Sequence, residues 1–193
     1  MGIMEMADLG KLGGVAVLAL AAFGSALGAG AAAPAAIGAW KKAYTQKKTP
    51  PFMTLAFIGM PLSQTIYGMI VMNRIAAVCD LATYLSRDVI KTAQAAAKAA
   101  GMPDWQNYVP EDIMAHAMSA LEASVSSWHA LLGAGILGGI AMGASAWMQG
   151  KAGASAADAL AETEQGTANY LMALGIIETV AIFVLVFVTR VVG

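Results

Sequence analysis

Four stretches of the chain are apolar over lengths that suit a membrane-spanning helix. They cover residues 12–39, 52–78, 128–148 and 170–192. A bilayer core of about 30 Å requires roughly 20 apolar residues, because each residue advances a helix by about 1.5 Å. The pattern therefore predicts an all-α membrane protein with four transmembrane helices.

The stretch between the second and third apolar segments, residues 74–127, is too polar to lie in lipid. Apolar residues recur in it at spacings of three and four, as in helices with one apolar face. One series starts at Ile75 and the other at Ile113, with Gly101 and Pro110 between them. We expect the second and third membrane helices to extend outward as an antiparallel hairpin. A solvated loop is the alternative.

Composition agrees with a membrane location and removes several classes of function. Hydrophobic residues make up 59% of the chain, charged residues 12%, and the mean hydropathy is +0.66. The net charge of −1 provides no basic surface for nucleic acid. Cys79, His116 and His129, the only cysteine and histidines, do not make a tetrahedral zinc set. We expect no organic cofactor.

The loop between the first two apolar segments is rich in lysine. It carries Lys41, Lys42, Lys47 and Lys48 and no acidic residue, and short positive loops face the cytoplasm. The more acidic loop between the third and fourth segments lies on the same side as this loop, because the chain crosses the membrane twice between them. We therefore expect loops 40–51 and 150–168 in the cytoplasm, and both termini and the 79–127 extension on the opposite side.

The two halves of the chain are an internal repeat. Each half opens with a glycine-rich helix, crosses a cytoplasmic loop and returns in a bulkier helix with a polar residue near mid-depth. Setting Gly30 against Gly150 aligns the first helices, and setting Gln64 against Glu178 aligns the second ones. The repeat predicts two tandem helical hairpins. Residues 1–78 form the hairpin with the amide, residues 79–127 the non-cytoplasmic helical extension, and residues 128–193 the hairpin with the carboxylate.

Glu178 lies inside the fourth apolar segment. An ionisable group there costs several kcal/mol, is by default functional, and faces a bundle interior or an ion path. We therefore predict that Glu178 binds the ion that the protein moves. The alternative is a glutamate that stays protonated and is buried for packing alone.

Polar residues at matching depth accompany this carboxylate. Gln64 lies deep in the second segment beside Ser63 and Tyr67, and Gln149 closes the third segment. Pro61, one turn earlier, lacks a backbone donor, which can free a carbonyl such as that of Met60 to face an ion. Carboxylate, amide and hydroxyl oxygens suit a hard cation such as Na+. The proton is the alternative, because glutamine and serine also simply hold helices together.

Three motifs of the chain carry a resemblance to a known family. They are MPLSQTIYG in the second segment (60–68), QGK at the end of the third (149–151) and GIIETVAIF around Glu178 (175–183). They resemble the second-helix motif, the third-helix exit and the carboxylate helix of the rotor-ring proteolipid, known as K or c, of V-type ATPases, most closely the bacterial sodium-transporting kind. The resemblance covers residues 12–78 and 128–192, and it leaves out the extension.

The resemblance implies a binding site and a set of partners. The implied sodium ligands are the side chains of Glu178, Gln149, Gln64 and Ser63 and the carbonyl of Met60, with Tyr67 as the hydrogen-bond donor that locks the site. Identical copies would form a ring with the glycine-rich helices inside and lipid outside. A membrane stator subunit would displace the ion with an arginine, and central-stalk subunits would contact the cytoplasmic loops. The chain has no phosphate-binding loop, so we expect a non-hydrolytic subunit.

Three other functions stay open at this point. The nearest is the same rotor carrying protons, with the glutamines serving only as structure. A small transporter built from two repeats is the second. The third is a structural protein whose outward hairpin is the functional part.

Overall fold

The computed structural model describes residues 1–85 and 87–192, all of whose regular structure is helical. Ser86, within the predicted extension, and Gly193, at the end of the predicted second hairpin, lie outside these ranges. The helices are α1 (Ile3–Thr45), α2 (Thr54–Gly59), α3 (Ser63–Val78), α4 (Leu81–Tyr84), α5 (Arg87–Ala99), α6 (Glu111–Val125), α7 (Trp128–Thr163) and α8 (Thr167–Val192). Short 3-10 turns occupy Met60–Leu62 and Trp105–Asn107.

Four helical stretches are long and apolar enough to cross a membrane: Ile3–Thr45, Thr54–Val78, Trp128–Thr163 and Thr167–Val192. The predicted all-α fold with four membrane-length helices is therefore confirmed, and the chain is an integral membrane protein. α1 and α7 run beyond the predicted apolar segments, α7 by about four turns. The added turns of α7 are rich in alanine, which favours a helix without being apolar enough to read as a membrane span. Those of α1, at residues 3–11 and 40–45, carry charged residues that end the apolar run but not the helix.

α1 and α7 lie side by side as the inner pair of the bundle. A Cβ built on Gly24 would overlap the Cα of Gly143, and one on Gly135 would overlap the carbonyl oxygen of Gly13. Such contacts leave no room for a side chain, so the two backbones touch where glycines meet. Small residues are the means by which membrane helices pack closely, since lipid supplies no hydrophobic drive between them.

α3 packs against α1 and α8 against α7, so each hairpin places its bulkier helix outside an inner helix. α8 turns large apolar side chains outward, among them Ile176, Val180, Phe183 and Phe187, which are between 52% and 65% exposed. A continuous apolar face of this kind suits contact with lipid or with a neighbouring copy.

Two apolar clusters close the ends of the bundle. One joins Ala7, Cys79, Leu131 and Val192 near the termini. The other joins helix ends near the two loops: Ala36, Phe57, Ala157, Leu160 and Leu174. Both loops therefore lie at one end of the bundle, and both termini lie at the other.

The segment between the hairpins is helical, as predicted, but its helices are separate rather than continuations of the membrane helices. α3 ends at Val78, and Asp80 starts α4 by accepting a hydrogen bond from the Ala82 N–H at 3.0 Å. α4 packs against α6, where the Tyr84 hydroxyl donates to the Ser124 hydroxyl at 2.6 Å. An N-cap side chain that satisfies a free backbone donor is a strong helix start, and this one interrupts the expected extension.

Candidate functional site

The carboxylate of Glu178 lies half-buried between α8 and α3. Its Oε1 accepts a hydrogen bond from the Tyr67 hydroxyl at 2.7 Å. The neighbours Ile176 and Val180 are exposed on the outward face of α8. The carboxylate is thus placed at the edge of the bundle, where it can meet both an outer partner and the interior.

Two amides lie deeper in the bundle. Gln64 on α3 and Gln149 on α7 are fully buried. The Gln64 Nε2 donates to the Gln149 Oε1 at 3.0 Å, and the Gln149 Nε2 donates to the Leu174 carbonyl at 3.0 Å. Leu174 is one helical turn before Glu178. The amide chain therefore crosses the bundle and ends on the helix that carries the carboxylate.

The break at Pro61 gathers three more oxygen atoms. The residues from Met60 to Leu62 form a 3-10 turn instead of an α-helical one, because proline lacks the N–H that the helix would need there. The Ser63 hydroxyl donates to the Met60 carbonyl at 2.9 Å and lies 3.2 Å from the Gln64 Oε1. The Met60 carbonyl also accepts the Ser63 backbone N–H. It is therefore not vacant in this state, and the hydroxyl covers it.

The structure brings all six predicted site residues into one region, in two connected sets. Met60, Ser63, Gln64 and Gln149 form the first set, and Tyr67 and Glu178 form the second. Ser63 and Tyr67 join the two sets along α3, because they are one helical turn apart on the same face. That these groups bind a cation stays a prediction.

The chemistry of this set is that of oxygen ligands around one formal negative charge. A monovalent cation or a proton would neutralise the carboxylate, which makes a buried or lipid-facing position tolerable. Amide and hydroxyl oxygens would add neutral ligands of the kind that hard cations prefer. Because the Ser63 proton bridges two oxygens here, a cation in its place would require that hydroxyl to turn away.

Two serines of the inner helices were missed by sequence reasoning. The Ser145 hydroxyl on α7 donates to the Ile177 carbonyl at 3.0 Å, next to Glu178. Ser25 on α1 is 2% exposed. The internal repeat could have indicated both serines, because the alignment that sets Gly30 against Gly150 also sets Ser25 against Ser145.

Comparison with known proteins supplies a family for the second hairpin. Residues 132–189 match the family model of the ATP synthase c-subunit, a range that contains Ser145, Gln149 and Glu178. No curated protein matches the chain. The match covers the second hairpin alone, less than half of the chain, and both helices of that hairpin are long and apolar enough to span a membrane.

Proposed function

We propose that the chain is a rotor-ring subunit of a rotary V-type ATPase or synthase, and that each copy carries one sodium ion across the membrane at Glu178. The observation that carries this proposal is the placement of a single half-buried carboxylate, held by Tyr67, beside a buried set of amide and hydroxyl oxygens. The family match over the second hairpin supports the rotor.

The first hairpin supports the V-type assignment, because its residues 60–68 carry the motif that resembles the V-type proteolipid. It repeats the architecture of the second, but Gln64 stands where the second has Glu178. Its amide is fully buried and hydrogen-bonded to Gln149 on the other hairpin. Four helices thus share one carboxylate at mid-depth, which gives one ion per chain.

The surroundings of the carboxylate support sodium. Met60, Ser63, Gln64 and Gln149 offer oxygen atoms near the carboxylate helix, and a proton needs none of them. On sodium binding, we expect the Ser63 hydroxyl to release the Met60 carbonyl, so that both oxygens turn to the ion. Tyr67 keeps its hydrogen bond to Glu178 and closes the site.

The transport cycle follows from neutralisation. Identical copies form a ring around the inner helices α1 and α7, with α3 and α8 facing lipid and a stator subunit. A filled site is neutral and turns through lipid at low cost, whereas an empty carboxylate does not. A stator arginine would displace the ion, and central-stalk subunits would contact loops 40–51 and 150–168 on the cytoplasmic side. The termini and the 79–127 extension would then lie on the opposite side.

One observation favours a proton rotor as the second candidate. Gln64 and Gln149 are satisfied by each other and by the Leu174 carbonyl, so they can serve as interhelical contacts without any ion. A proton on Glu178 would then be the only cargo.

Labelling of Glu178 with a carbodiimide separates the two candidates. The reagent attacks a protonated carboxyl, so bound sodium should protect Glu178 at a fixed pH, and potassium at the same ionic strength should protect it less. Gln149→Leu should keep the labelling and lose the sodium protection. If sodium leaves the labelling rate of the unmodified ring unchanged while Glu178 still reacts, the sodium proposal fails and the proton candidate stands.

A further inference from the structure

Ser25 is a buried hydroxyl that the proposed site does not yet use. It lies in the middle of α1 and is 2% exposed. Within the part of the chain that the structure describes, its Oγ has no hydrogen-bond partner. A buried hydroxyl without a partner loses its hydration and gains nothing in return, so its position calls for an explanation.

The register of α1 against the second membrane helix sets Ser25 opposite Gln64. A Cβ on Gly10 would meet the sulfur of Cys79, and one on Gly68 would meet the Cβ of Ala21. Two further close approaches pair Gly14 with Ile75 and Gly28 with Pro61. In these four pairs the two residue numbers add up to 89, and the other close approaches, of Gly14 to Met72 and of Gly68 to Val17 and Leu18, add up to 85 or 86. A spread of one helical turn is expected where two antiparallel helices pack face to face. The residue numbers of Ser25 and Gln64 also add up to 89. This pair lies between the contact of Ala21 with Gly68 and the contact of Gly28 with Pro61.

The repeat supplies an independent indication of the same role. Ser145, the equivalent of Ser25 in the second hairpin, donates its hydroxyl proton to α8 at the carbonyl of Ile177. Ile177 is next to Glu178, the equivalent of Gln64. In both hairpins, the serine of the inner helix thus lies at the depth of the polar residue on the outer helix. Of the two serine hydroxyls, Ser145 has a hydrogen-bond partner among the described residues and Ser25 does not.

Gln64 has the group that would complete this contact. Its carboxamide nitrogen carries two N–H donors, and one of them is used on the Gln149 Oε1. Its oxygen accepts from the Ser63 hydroxyl. A primary amide is planar, so fixing both N–H bonds also fixes the direction of its oxygen.

We propose that the Ser25 hydroxyl is a positioning residue of the cation site: its oxygen accepts the second N–H of Gln64 when the site is filled and so holds the Gln64 Oε1 toward the ion. This inference rests on the proposed cation binding. Gln149 and Ser25 would then hold the amide from two sides, and Ser63 would be released to turn to the ion.

The test compares Ser25→Ala with Ser25→Thr in assembled rings. The readout is the sodium concentration that half-protects Glu178 from carbodiimide. Removing the hydroxyl should raise this concentration about fivefold, the size expected for one neutral hydrogen bond. Ser25→Thr, which keeps the hydroxyl, should stay near the wild-type value. Ser155→Ala, the same change at an exposed serine whose hydroxyl bonds within its own helix, is the matched control.

Ring stability distinguishes positioning from packing. Ser25→Ala removes an unpaired oxygen and leaves the carbon skeleton, so the ring should melt at the same or a higher temperature even though sodium binds less tightly. If the Ser25→Ala ring assembles and sodium protects its Glu178 at the wild-type concentration, the inference is wrong and the proposed cation binding stands. If the wild-type ring shows no sodium protection, the proposed function and this inference both fail. If Ser25→Ala does not assemble, Ser25→Cys, with a weak acceptor of similar size, gives the same decision.

Discussion

The two hairpins share one backbone plan and differ in what they hold at mid-depth. In the first, Gln64 is fully buried and its amide is bonded to Gln149. In the second, Glu178 is half-buried and is held by the Tyr67 hydroxyl. An amide with partners can be sealed into a helix interface, whereas a carboxylate must stay within reach of its counter-ion. Under the proposed function, the second hairpin supplies the charge, and neutral oxygens come from both hairpins, because Gln149 also lies on the second.

Making the hairpins alike should have the largest effect. Glu178→Gln removes the only formal charge of the site, so we expect carbodiimide labelling to disappear and sodium affinity to fall by more than about a hundredfold, since the pairing of opposite charges away from water is lost. Isotope binding to purified rings measures the affinity. Glu164→Gln, at an exposed carboxylate of the loop, should leave it unchanged. If the Glu178→Gln ring still bound sodium, the second hairpin would not supply the charge that binds the ion.

The next effect concerns what the hairpins have in common, the glycine contacts of their inner helices. Gly24→Ala places a Cβ in overlap with the Cα of Gly143, so α1 and α7 must move apart. Overpacking of this kind costs about 1–3 kcal/mol of stability, and we expect a lower melting temperature of the assembled protein. Gly38→Ala, on the same helix, meets nothing within 4 Å and should melt at the wild-type temperature or slightly above it, because alanine favours a helix more than glycine does. Equal melting of the two variants would show that this close contact does not contribute to stability.

The four spans could be predicted because lipid selects for hydropathy, and hydropathy is visible in sequence. The ends of α1 and α7 were not, because the alanine-rich last turns of α7 and the charged end turns of α1 stay helical without being strongly apolar. The break after Val78 was missed for another reason. Asp80 caps a new helix, and this is a local contact that a pattern of apolar spacings does not register.

The site could be predicted as a set of residues but not as an arrangement. Glu178 and Gln64 stand out because polar groups are rare in membrane helices. Serine is less conspicuous, since it is common among small packing residues, and so Ser25 and Ser145 were passed over. Their relation to the site depends on the register between helices, which becomes visible only when close approaches such as Gly28 to Pro61 are known.

The contact between the hairpins at the carboxylate should have a moderate effect. Tyr67→Phe removes the hydroxyl that donates to the Glu178 Oε1 and keeps the aromatic ring. We expect sodium to bind at least about tenfold more weakly, because a hydrogen bond to a charged group contributes about 1.5 kcal/mol or more. The sodium dependence of labelling measures it. Tyr44→Phe, at an exposed tyrosine near the loop, is the control. An unchanged dependence would mean that Tyr67 does not close the site.

The smallest effect concerns the loops at one end of the two hairpins. The Lys48 Nζ lies 2.5 Å from the Glu164 Oε1, and this hydrogen bond lowers the pKa of Glu164 below its usual value. A carboxyl whose pKa is lower in the folded state stabilises the fold above its unfolded pKa, and this contribution is lost as the pH falls through the folded pKa. Lys48→Ala should therefore lower the melting temperature slightly at neutral pH and not at strongly acidic pH, and added salt should shrink the difference. Lys41→Ala, the same change in the same basic stretch, is the control. A large loss of stability at high salt would mean that Lys48 holds the hairpins together by packing rather than by charge.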